Sequence, residues 1–185
     1  MELAAVSCRT LLVVVFAVAV VSKLSSAESF SAFVRSVREL AGLSPSRGRA
    51  AARLVVGAEA AGAVLLMLPR PRPLTMAGFV LLGCLLGAFT IAMAASLRRG
   101  LRVPCRCFGA STSSAGALPL VRNGLLIVAA VTGAAGTFHG VPTAPGGLAV
   151  AAGTGLVLGA VVTVFDDIYE VLRDFLPVAA PKGHG

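Results

Sequence analysis

Two cysteines separated by a single residue, Cys105 and Cys107, are the side chains of this sequence best suited to chemistry. They stand in the run Val103-Pro104-Cys105-Arg106-Cys107-Phe108-Gly109. A thiolate attacks disulfides and binds soft metals, and neighbouring positive charge increases the thiolate fraction. Arg106, between the two, and Arg102, just before them, supply that charge. A bridge between positions two apart requires a bent backbone and stores strain, and strained, exposed bridges are the ones that exchange. Pro104 and Gly109 suit turns on either side. The same two sulfurs could instead staple the loop, or supply two of the four ligands zinc requires. The two histidines, His139 and His184, fall on a different connection and in the tail, so no metal site is expected without a partner's ligands.

Glu59 is the second candidate. It lies amid Gly57, Ala58, Ala60 and Ala61 in an apolar stretch, and a carboxylate inside a membrane is costly enough to mark function or a helix–helix anchor. Lys23 and Arg122 are bases that could pair with it. Arg122-Asn123 could also hold the cysteine loop, or Arg122 could snorkel to the headgroups. Cys8 and Cys84 fall in apolar stretches and read as small hydrophobes. No phosphate-cradling glycine loop, nucleophile–histidine–acid set or cofactor motif is evident, and a membrane quinone stays open as an electron partner.

The elements that must position these residues are membrane helices. Only 13 % of the 185 residues are charged and 57 % are hydrophobic, with mean hydropathy +0.91; a soluble domain carries about a quarter charged. About 20 apolar residues cross the hydrocarbon, and five stretches are long enough: 3–21, 50–68, 74–97, 118–138 and 146–165. Ser25-Ser26-Ala27 could mark signal-peptide cleavage, but Lys23 interrupts the approach to it. Phe30, Phe33, Val34, Val37 and Leu40 recur at helical spacing, with Arg35, Arg38 and Glu39 between them. This predicts an amphipathic helix in the headgroup plane, or a short helix packed on a partner. Residues 43–48 read as a turn, and 166–174 as a short helix before a frayed end. An all-α, polytopic bundle follows: a four-helix core over 1–138, a fifth transmembrane helix within 139–168 and a short tail, 169–185.

Five spans put the first loop, the third loop and the C-terminus on one face, which then carries thirteen of the sixteen Lys and Arg residues. Arg9, Arg70 and Arg72 fall on the other. The positive-inside rule makes the rich face cytoplasmic, and the net charge of +8 is accounted for without nucleic acid.

In order along the chain, Lys23-Leu24, Glu59, Arg98-Arg99-Gly100, Cys105-Arg106-Cys107-Phe108-Gly109 and Arg122-Asn123 resemble the MauE family, the methylamine-utilisation membrane proteins related to the DoxX-like group. The resemblance covers about residues 9–138, and its most specific part is the Cys-x-Cys-Phe-Gly segment. It implies a four-helix membrane bundle that serves methylamine metabolism. The implied task is to mature, transport or form disulfides in the cysteine-rich β-subunit of methylamine dehydrogenase, beside a thioredoxin-like partner. On this reading Cys105 and Cys107 are the exchanging pair of a membrane thiol–disulfide oxidoreductase, Arg106 tunes them, and Glu59 and Arg122 support the site. A non-enzymatic scaffold with a structural disulfide, and a small transporter using Glu59, are the alternatives.

Overall fold

Long runs of Leu, Val, Ala and Gly close their own backbone hydrogen bonds as helices, the economical solution in lipid, where no water satisfies a bare amide. A computed structural model describes residues 2–68, 71–99, 117–138 and 144–175, with side chains from 119 in the fifth helix and to 164 in the sixth. Six helices follow in order: α1 (Glu2–Leu24), α2 (Ala27–Ala41), α3 (Pro45–Met67), α4 (Arg72–Arg98), α5 (Ala117–Gly136) and α6 (Pro145–Phe175). All but α2 are long and apolar enough to span a membrane. The expected all-α, polytopic bundle is therefore present.

Two boundaries differ from the sequence expectation. Residues 43–48 do not form one turn. The chain turns only at Gly42, whose φ of 62° is left-handed, the conformation glycine adopts without steric cost. Pro45 then opens α3 as its first residue, where its missing N–H would have had no helical partner anyway. Gly48 is buried inside α3 because Arg38 of α2 lies across it. A Cβ there would sit 2.0 Å from the Arg38 Cγ. The second difference is at the end, where α6 runs without a break to Phe175, so the expected separate helix at 166–174 is its continuation. Residues 176–185 lie outside the described segments.

The core is built from helical stripes. Leu12, Val15, Phe16 and Ala19 of α1 meet Leu66 of α3, Phe79, Leu82 and Leu86 of α4, and Leu126 and Ala130 of α5. Small residues let the backbones approach. A Cβ on Gly62 would sit 2.4 Å from Leu82 Cδ2, and one on Gly133 would sit 2.3 Å from Phe79 Cε1. On its other side α1 carries α6. Ser7 Oγ donates to Ala151 O at 2.9 Å, and a Cβ on Gly155 would come within 2.3 Å of the Ser7 carbonyl oxygen.

The amphipathic period of 27–41 does give a helix. Ser26 caps it, accepting from the Ser29 amide at 3.0 Å. Its apolar face turns into the bundle, however. Phe33, Val34 and Val37 form a second cluster with Ala52 and Val56 of α3, and Phe89 of α4 touches both clusters. Arg35 and Glu39 stay exposed. Bundle packing, rather than lipid or a separate partner, takes up most of the apolar face.

Candidate functional site

The buried stripes that make the core also carry polar residues, from mid-height at Glu59 toward the end where α1 finishes. Lys23 continues the α1 stripe one turn past Ala19, Glu59 lies between Val56 and Leu66 on α3, and Asn123 lies three residues before Leu126 on α5. All three are at most 2 % exposed. Of the two bases suggested for Glu59, Lys23 holds it. Its Nζ donates to both carboxylate oxygens, at 2.6 and 2.7 Å. The ammonium also lies 4.9 Å from the centre of the Phe33 ring, a cation–π distance. Thus α2 contributes the aromatic lid of a charge pair made by α1 and α3.

Asn123 differs in kind. Its side-chain nitrogen and oxygen are both buried, and neither has a hydrogen-bond partner among the described residues. Most buried polar atoms are satisfied, so an amide kept here against its desolvation cost points to a use beyond packing. Helix register fixes its depth. Gly62 meets Leu82 and Gly78 meets Leu66, while Gly83 meets Ala130 and Gly133 meets Phe79. Continuing both antiparallel registers along α4 brings Glu59 level with Leu85 and Asn123 level with Phe89 or Thr90. At 1.5 Å per residue the two levels are about 7 Å apart. Ser96, also buried, lies further along α4 toward the same end, and Arg122 is half-buried beside Asn123.

That end is where α4 finishes at Arg98 and α5 starts at Ala117. The connection between them carries Cys105, Arg106 and Cys107, and these three lie outside the described residues. The described cysteines, Cys8 and Cys84, are free thiols.

At the opposite end, Arg9 has a role the sequence reading missed. Counted there toward the less basic face, it is a cap. Its Nε donates to the Leu66 carbonyl and its Nη2 to the Leu68 carbonyl, the latter at 2.8 Å. These carbonyls close α3, where helical partners run out. A charged residue one or two turns from a span's end can reach the end of its neighbour, a signal available in the sequence.

No curated protein and no solved structure matches the chain. The family model described as methylamine utilisation protein MauE matches residues 1–136, from the first residue through the end of α5. The chain is accordingly a multi-pass membrane protein that belongs to the MauE family.

Proposed function

We propose that this protein is a membrane thiol–disulfide exchange component that matures a cysteine-rich client, of the methylamine-utilisation type its family is described by. The observation that carries the reading is the Cys105-Arg106-Cys107 pair on the α4–α5 connection of a MauE-family chain. Its proposed exchange partner is a thioredoxin-like protein. A thiolate of that partner attacks one sulfur of the Cys105–Cys107 disulfide and forms a mixed disulfide. The partner's second thiolate then attacks the mixed disulfide. The pair leaves as two thiols and the partner leaves oxidised, with two electrons and two protons transferred. The reverse uses the same atoms, and relative potentials set the direction. Arg106 favours the thiolate. Lys23–Glu59 and the Arg122-Asn123 step serve as positioning residues for the end of the bundle to which the loop is joined.

The charge bias supports a cytoplasmic location for this loop and for the C-terminus, and hence exchange with cytoplasmic thiols. The family's implied oxidative role outside the cell supports the other face, where disulfides persist. A membrane-impermeant alkylator, applied to intact cells in a Cys8→Ala/Cys84→Ala background with and without prior reduction, separates the two. Labelling of Cys105 and Cys107 only after lysis is the result expected from the charge count. Labelling in intact cells after reduction reverses the orientation. Cys105→Ser and Cys107→Ser should each abolish client maturation, and one single variant should accumulate a mixed disulfide with the partner. Full activity of the double Ser variant would overturn the exchange reading.

A further inference from the structure

Between α1, α2 and α3 an apolar groove of about 530 Å³ opens on the outside of the bundle, walled by Val20, Leu24, Phe30, Val56, Gly57 and Ala60, with Arg53 its one charged lining residue. Arg53, Val56, Gly57 and Ala60 are spaced i, i+3, i+4 and i+7, a single stripe of α3. The stripe is deliberately shallow in its chemistry: Gly57 and Ala60 present almost no side chain, and nothing lies within 4 Å of where a Cβ on Gly57 would be. From Arg53 to Ala60 the helix rises about 10 Å, a length suited to part of an extended acyl chain.

Charge identifies the occupant. Arg53 is exposed and forms no ion pair among the described residues. It stands at the end of the groove nearer the start of α3, the direction in which helical Cα–Cβ bonds point. Arg49 lies one turn before it, and Arg35 and Arg47 are exposed at the same end. A slot with apolar walls and one guanidinium, Arg53, at its end is complementary to an anion with a hydrocarbon tail. We propose that this groove binds an anionic phospholipid, with one acyl chain along Gly57 and Ala60 and the phosphate on Arg53. The lipid then fastens α2, through Phe30, against α1 and α3 on the outer side of the Lys23–Glu59 pair. The site is independent of the thiol chemistry proposed above.

The test uses the purified full chain in detergent and native mass spectrometry, titrated with phosphatidylglycerol and with phosphatidylcholine of the same acyl chains. Phosphatidylglycerol should be retained about fivefold more strongly, the difference expected for one basic contact. Arg53→Gln should remove that preference and Arg53→Lys should restore most of it. Gly57→Leu, whose Cβ has open space and whose longer side chain enters the slot, should reduce retention of both lipids. Arg72→Gln, at the opposite end, should change neither. Equal retention of the two lipids by the parent protein would overturn the proposal. So would undiminished phosphatidylglycerol retention in Arg53→Gln and Gly57→Leu. A dimer that Gly57→Leu dissociates, without any lipid preference, would assign the groove to a second copy of the chain and equally overturn it.

Discussion

Removing either member of the Lys23–Glu59 pair should cost far more than removing both. The ammonium touches both carboxylate oxygens, and the two side chains are 2 % and 1 % exposed. At an effective dielectric near 20 their attraction is about 6 kcal/mol. Burying each ion costs several kcal/mol, so the net contribution of the intact pair is small. A single substitution retains one desolvation cost and loses all of the attraction. Lys23→Met and Glu59→Met should each destabilise by about 3–5 kcal/mol, whereas the double Met variant, uncharged and of similar volume, should lie within about 1–2 kcal/mol of the parent. The coupling free energy from the cycle is then about 4 kcal/mol or more. Lys23→Met carries an added loss, the contact with the Phe33 ring, so Phe33→Leu alone should cost about 1 kcal/mol beyond its packing change. The chain has no tryptophan, so unfolding in mixed micelles is best followed by circular dichroism or pulse proteolysis. Additivity of the two single variants to within about 0.5 kcal/mol would refute the reasoning, because groups that do not interact behave that way.

Three further outcomes are expected. Arg9→Met should destabilise by about 1.5–3 kcal/mol, the scale of charged hydrogen bonds, since it strips the Leu66 and Leu68 carbonyls of their donor; the same unfolding assay reads it, and no change would mean water or lipid headgroups replace the guanidinium. Asn123→Leu should leave stability unchanged or raise it by about 1 kcal/mol, because an amide with no partner among the described residues contributes only its desolvation cost, while the proposed client maturation falls; a loss above about 2 kcal/mol would show that the amide is satisfied. Gly155→Val should disrupt packing of α6 on α1, because the new side chain meets the Ser7 carbonyl, whereas Gly153→Val has open space and should be tolerated; cysteine cross-linking between the two helices distinguishes these, and equal behaviour would refute the close approach.

The five spans were legible because length and apolarity alone decide what crosses a bilayer, and each span's helix begins and ends within a few residues of its expected place, apart from the start of α3 and the extended end of α6. The misread turn at 43–48 has a specific cause: Pro and Gly break helices on average, yet Pro45 occupies the one helical position that suits it and Gly48 is required by a side chain of another helix. No local pattern contains Arg38 and Gly48 together. Glu59 announced itself as an ion in lipid, and Lys23 was the nearer of two candidate bases. What the sequence did not reveal is that 27–41 would cover that pair. An amphipathic period is the same whether the apolar face meets lipid or protein, and only the packed bundle distinguishes them.

The two faces of α1 explain why a helix beyond the matched 1–136 region bears on the site within it. Leu12, Phe16 and Ala19 face the core, and Lys23 continues that stripe. Ser7, Thr10, Leu11 and Val14 face α6, whose Gly155 and Gly159 allow near-backbone contact. With α6 in place, α1 is held on both sides along the turns that precede Lys23, and its rotation about its own axis is restricted. Rotation matters because Lys23 must be directed inward to meet both Glu59 oxygens; one residue of helical rotation, about 100°, would carry the ammonium out of the stripe. The added helix is therefore expected to act on the charge pair through the orientation of α1, which it holds along Ser7 to Val14. That separates two classes of substitution: those in the α1–α6 seam should weaken the Lys23–Glu59 coupling without touching either residue, and those on the lipid-facing side of α6 should not.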